Sequence, residues 1–231
     1  MDSLTYIGHA TTLLRLDQGS ILTDPMLRGW LGPLRRQAEA PSPELPSIAD
    51  AVLISHLHRD HFDVSSLRRI PAETPLVVPR GAERWTRKAG ADRVLEVGPG
   101  DTVSVGELEV MAVPADHDGH RHRWGAEIEP LGYVIRSAES TVYFAGDTDL
   151  FPEMSELAPL DLALLPVWGW GPTLGPGHMD PERAANAAAL LRPRQLREPP
   201  REFAARVRDC APEVEVRIVM PGSAVAFVRD R

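Results

Sequence analysis

Cysteine is almost missing from this chain: Cys210 stands alone among 231 residues. A lone thiol excludes an intramolecular disulfide and fits a reducing compartment. Phe203 and Val207 precede it at helical spacing, so it is expected as a small buried hydrophobe and not as a ligand. Positive charge is also short. A net charge of −8 speaks against general nucleic-acid binding, because phosphate backbones need a basic surface; Arg121-His122-Arg123 is one local basic cluster. No apolar run approaches membrane-spanning length, and no basic leader with an apolar core marks a signal peptide. A soluble cytoplasmic protein with a small-molecule substrate and no membrane span is the expectation. A hydrophobic content of 43% is that of a folded chain, and the length suits one α/β domain over residues 1–231.

Histidine is concentrated where cysteine is not. Residues 51–61 read Ala-Val-Leu-Ile-Ser-His-Leu-His-Arg-Asp-His. Ala51 to Ile54 has the make-up of a buried strand, after which His56, His58, Asp60 and His61 follow in quick succession. In an extended segment alternate residues share a side, so His56 and His58 can grip one ion. Asp60 and His61 are adjacent and can aim at a second point as the chain turns. The spacing suggests two metals side by side, unlike the i, i+4 pair of a helix, which serves one.

His56-Leu57-His58-Arg59-Asp60-His61 resembles the His-x-His-x-Asp-His signature of the metallo-β-lactamase superfamily of metallohydrolases. That resemblance implies a four-layer αββα sandwich with ligands gathered at strand ends. Later segments match in order. Asp101 to Val113 reads as a hairpin whose second arm leads to Pro114-Ala115-Asp116-His117, and His117 stands where the family has its third ligand for the first ion. His120 and His122 are expected as loop residues. Thr141 to Ala145 is β-rich and ends in Gly146-Asp147-Thr148, similar to the motif whose aspartate bridges both ions; a carboxylate has two oxygens and can touch two cations. Gly146 would let the backbone pass close to them.

The same resemblance gives further roles. Asp24, at the end of a strand over Ser20–Thr23, would support a histidine ligand from behind. His178-Met179-Asp180-Pro181 and Gly8-His9-Ala10-Thr11 are similar to segments of the branch containing N-acyl-phosphatidylethanolamine-hydrolysing phospholipase D and ascorbate-6-phosphate lactonase, where the first histidine faces substrate; His178 is read so. His9 either lies near the site or makes a structural hydrogen bond. Trp168 and Trp170 either line a cavity or close the core. The implied activity is hydrolysis of an ester-type bond by a metal-bound hydroxide, with two zinc ions (manganese or iron as alternatives) and Asp60 and His178 assisting. A phosphodiester or phosphate-bearing substrate comes first, a lactone second. A non-catalytic metal-binding sensor is the rival.

One place departs from the pattern. Asp180 as N-cap and Pro181 at N1 open an alanine-rich helix to Leu191, and another helix is expected at about 201–210. Between them the alternation predicts a strand, and the family a strand ending in the last ligand of the second ion. Residues 192–199 carry no β-like run, and no histidine follows His178. Either the strand is truly lacking, leaving Asp60, His61 and Asp147, or a stretch of chain is missing near Arg194–Gln195. The latter is favoured, since losing a core strand would expose a sheet edge.

Overall fold

The computed structural model describes residues 2–36, 38–121, 127–167, 175–193, 195–197, 201–217 and 219–227. The chain runs through β1 (Asp2–Gly8), β2 (Thr11–Leu16), β3 (Gly19–Thr23), a small hairpin of β4 (Trp30–Leu31) and β5 (Leu34–Arg35), and β6 (Ala51–Leu53). Helix α1 (Val64–Leu67), β7 (Leu76–Pro79), α2 (Glu83–Lys88) and β8 (Val94–Val97) complete the first half. The second half has β9 (Thr102–Val105), β10 (Leu108–Pro114), β11 (Leu131–Arg136), β12 (Thr141–Phe144), β13 (Leu162–Leu164), α3 (Pro181–Leu191), β14 (Gln195–Arg197), α4 (Arg201–Cys210), β15 (Glu215–Arg217) and β16 (Ala224–Phe227).

The described residues form two seven-stranded sheets, ordered β16-β1-β2-β3-β6-β7-β8 and β15-β14-β13-β12-β11-β10-β9. Each has an antiparallel half and a parallel half, the change falling at β3 and at β12. Alternation along the strands sorts the side chains into three apolar layers. Leu14, Ile21 and Leu53 meet Tyr133, Ile135, Val142 and Phe144 between the sheets. Their neighbours Leu13, Leu22 and Val52 face outward onto Leu67 and Ile70, and Val134 and Tyr143 face outward onto Ala184, Ala188, Leu191, Phe203 and Val207 of the last two helices. This is the αββα sandwich that the motifs imply.

Local signals explain the helix starts. Asp63 accepts from Ser66 N, and Asp180 accepts from Arg183 N ahead of Pro181, each satisfying an orphan donor of a first turn. Among the described residues no helix is long and apolar enough to cross a membrane.

Two expectations are corrected. A strand does lie between α3 and α4: Gln195–Arg197 pairs in parallel with β13 on one side and β15 on the other. Its Gln-Leu-Arg sequence has no strand propensity to speak of, so the flanking strands impose the conformation. The break in the chain was expected near Arg194–Gln195, and Arg194 lies outside the described residues. Cys210 is exposed, because α4 turns Phe203, Val207 and the following Ala211 inward and Cys210 falls off that stripe.

Candidate metal centre

Strand β6 delivers its chain into the loop 54–63 on the edge between the sheets, and the end of β10 brings His117 alongside. His56 Nε2 lies 3.0 Å from His58 Nδ1, and His117 Nε2 lies 3.1 Å from the same atom. Every other nitrogen of the three rings is already committed. His56 Nδ1 is 2.9 Å from Ser55 Oγ, whose own proton goes to Asp24 Oδ2 at 2.5 Å. His58 Nε2 donates to the His120 carbonyl at 3.1 Å, and His117 Nδ1 donates to the Gly177 carbonyl at 2.8 Å. These partners fix the tautomers, so three lone pairs converge on one point. Three imidazoles with nothing but lone pairs between them suit a cation and little else.

The second cluster is built from carboxylates. Asp24, fully buried at the end of β3, accepts from Ser55 N at 2.8 Å and from His61 Nδ1 at 2.7 Å. His61 is therefore held with Nε2 outward, 3.2 Å from Asp147 Oδ2 and 3.7 Å from Asp60 Oδ2. That buried Nε2 makes no well-formed hydrogen bond among the described residues; its neighbours are the carboxylates of Asp147 and Asp60, a donor set that a metal between them would satisfy. The ligand atoms of His56, His58 and His117 lie within 4.8 Å of one another, as do those of His9, Asp60 and His61 and those of His117, Asp147 and His178. Asp147 thus touches both sides. Zinc bonds of about 2.0–2.1 Å in a tetrahedron put neighbouring ligand atoms ~3.4 Å apart, close to the 3.0 and 3.1 Å contacts of His58 Nδ1 and the 3.2 and 3.7 Å contacts of His61 Nε2.

Two glycines make the convergence sterically feasible. Gly146 has φ +62° and lies so close to Ser55 that a Cβ would stand 2.5 Å from the serine Cβ. Gly177 has φ +77°, and its Cβ would come within 2.8 Å of His117 Cα. Both positions demand glycine.

Electrostatics follow from burial and neighbours. Burial, reinforced by the surrounding histidines, pushes His56 well below the ordinary histidine value, and burial lowers His58 and His117. Burial alone would also lower His61, but the carboxylates of Asp147 and Asp24 hold it well above. Desolvation works against ionising Asp147, yet His61 and His178 keep it well below the carboxylate range; Asp60 is lowered, against burial, by His9 and His61. The His56, His58 and His117 nitrogens are thus held towards their neutral form, while His61, between the carboxylates of Asp24 and Asp147, is held towards its protonated form.

The family model described as a beta-lactamase superfamily domain matches residues 20–197. The chain belongs to the metallo-β-lactamase superfamily. Within that superfamily it is 32% identical over 237 residues to a UPF0173 metal-dependent hydrolase of Methanopyrus kandleri, with 95% of this chain and 97% of the archaeal protein covered. N-acyl-phosphatidylethanolamine-hydrolyzing phospholipase D 1 of Caenorhabditis elegans is 29% identical over 223 residues, covering 82% of this chain and 61% of the worm protein. Igni18, a metallo hydrolase from the hyperthermophilic archaeon Ignicoccus hospitalis, superposes with TM-score 0.79 at 26% identity, covering 100% of this chain and 99% of that one. The chain is a metal-dependent hydrolase of the metallo-β-lactamase superfamily.

All six residues read as ligands from the sequence (His56, His58, Asp60, His61, His117 and Asp147) come together in these two clusters. Asp24, read from the sequence as a support for a histidine ligand, bonds His61 directly; its further reach to His56 through Ser55 had no sequence signal. His178 stands on the His117 side, with Nε2 3.5 Å from Asp147 Oδ2 and the rings of His117 and His178 4.7 Å apart. His120 contributes its carbonyl, and its ring is held 2.7 Å from Asp118 Oδ1. Arg121 donates to the Leu57 carbonyl and stacks on Phe62 and Trp85, so it braces the metal loop. His122, Arg123, Trp168 and Trp170 lie outside the described residues.

Proposed function

We propose that the chain is a cytoplasmic, single-domain binuclear zinc hydrolase whose substrate is a phosphodiester or another phosphate-bearing ester. The observation that carries the binuclear reading is the convergence of three tautomer-fixed imidazoles beside a carboxylate-rich second cluster, with Asp147 reaching both. In this reading His56, His58 and His117 would hold the first ion, Asp60 and His61 the second, and Asp147 would serve both. Nitrogen-rich ligation with carboxylates favours zinc over manganese or iron. Ions bound there would lower the pKa of a coordinated water towards neutrality and polarise the ester.

The protein's own contribution is orientation and charge. Asp24 and Ser55 keep His61 and His56 in the tautomers that leave a lone pair for metal. Asp60, its carboxylate partly exposed, accepts a hydrogen bond from the attacking water and aligns it. His178, at the rim, donates to a substrate oxygen as negative charge grows there. The phosphodiester preference rests on the His178-Met179-Asp180-Pro181 resemblance and on the worm relative, whose name is that of a phospholipase D.

Bis(p-nitrophenyl) phosphate, p-nitrophenyl phosphate and a γ-lactone offered to the zinc-loaded chain test this. Phosphodiester cleavage that chelation abolishes and zinc restores is expected. Lactone opening without phosphodiester cleavage would shift the assignment to a lactonase. Two bound ions with no turnover of any of the three would favour a metal-binding sensor.

A further inference from the structure

We infer that His9 is the fourth ligand of the second ion, standing in for the histidine that this chain lacks after His178; this rests on the binuclear reading above. His9 Nε2 lies 3.0 Å from Asp60 Oδ2, and the rings of His9 and His61 are 4.7 Å apart. The ligand atoms of His9, Asp60 and His61 lie within 4.8 Å of one another, and Asp147 Oδ2 lies 3.2 Å from His61 Nε2, so Asp147 adjoins this cluster through His61.

The backbone is shaped to deliver it. His9 sits in the turn between β1 and β2 with φ +54°, after Gly8 at φ +129°, a left-handed conformation that side chains other than glycine rarely adopt. Arg36 braces this turn by donating to the carbonyls of Ile7, Met26 and Arg28, so close that a Cβ on Gly8 would meet its Nη1 at 2.7 Å. A backbone held in a sparsely populated region near a reactive cluster points to function. A hydrogen bond alone does not explain it, because the His9 and Asp60 side chains are 45% and 41% exposed and such pairs contribute little to stability. The remaining candidate, His178, is grouped with His117 and Asp147 and not with His9, Asp60 and His61: its Nε2 is 3.5 Å from Asp147 Oδ2 and its ring 4.7 Å from that of His117.

The test is metal binding by the full chain, read without reference to activity. Zinc titration and the visible spectrum of the cobalt-loaded protein are followed for the unaltered chain and for His9→Ala, His9→Asn and His178→Ala. Asparagine tolerates the left-handed turn but is a poor zinc ligand, so it separates loss of the ligand from loss of the turn. The unaltered chain and His178→Ala are expected to bind two ions. Both His9 variants are expected to keep the first ion and bind the second at least tenfold more weakly, with a changed cobalt spectrum. A second ion bound equally well by His9→Asn would overturn the inference while leaving the binuclear reading intact. A second ion lost in His178→Ala instead would reassign the ligand. Absence of a second ion from the unaltered chain would defeat the binuclear reading itself.

Discussion

Asp24 holds three donors at once, which makes its replacement the most informative perturbation of the site. Its carboxylate accepts from Ser55 N, Ser55 Oγ and His61 Nδ1, all buried. In Asp24→Ala these three lose their acceptor. At about 1–3 kcal/mol for each buried unsatisfied donor, and with water entering the space left by the carboxylate, the lower end of about 3 kcal/mol is expected. For a chain of this size that lowers Tm by roughly 6–12 °C. Asp24→Asn is subtler. The amide NH2 must face either Ser55 N–H or His61 Nδ1–H. The second conflict is relieved when His61 moves its proton to Nε2, and that proton then occupies the direction of the metal. The folded state survives, but affinity for the second ion falls about 10–100-fold, the usual cost of a lost supporting partner, or about 1.4–2.7 kcal/mol. Thermal melts of the metal-free proteins and zinc titrations of both variants read the two effects separately. Unchanged zinc affinity in Asp24→Asn, with unchanged Tm in Asp24→Ala, would refute the reasoning.

Four further outcomes are expected. Zinc loading at pH 7, followed calorimetrically in buffers of different ionisation enthalpy, should release almost no protons with the first ion, because His56, His58 and His117 are already held neutral, and about one with the second, displaced from the raised His61; proton release concentrated in the first step would contradict this. The same shifts set opposite pH trends in the metal-free chain: the depressed His56, His58 and His117 contribute stability present above about pH 6.5 and lost as pH falls towards their folded values, whereas the contribution of His61 is complete below about 6.5 and disappears as pH rises through its folded value. Gly146→Ala should cost roughly 2–4 kcal/mol, since it combines an unfavourable φ with a methyl 2.5 Å from Ser55 Cβ, and a melt within 1 °C of the parent, about the effect of well under 1 kcal/mol, would argue against that close approach. His58→Ala combined with Asp147→Ala should abolish both tight metal binding and hydrolysis; turnover surviving in that double variant would rule out metal-assisted chemistry.

Much of this architecture is legible in the residues because it depends on short-range rules. Apolar alternation marks the long strands, Asp63 and Asp180 announce their helices, and the run from His56 to His61 places four donors within one loop. Features created by distant neighbours are harder to read. Gln195–Arg197 becomes a strand because β13 and β15 lie on either side of it, not because of its own composition. Cys210 stands at a plausible helical spacing yet falls outside the inward stripe, which only the docking of α4 defines. Asp60 and His9 are far apart in sequence, and their encounter depends on a left-handed turn braced by Arg36. Ser55 carries no metal-binding signature at all, yet it couples Asp24 to His56.

Metal stoichiometry bears on the central claim most directly. The purified full chain, stripped with chelator, reloaded with zinc and exhaustively dialysed, should retain two ions per chain by elemental analysis, and the His58→Ala, Asp147→Ala double variant should retain neither tightly. One ion or none in the unaltered chain under the same treatment would contradict the binuclear centre.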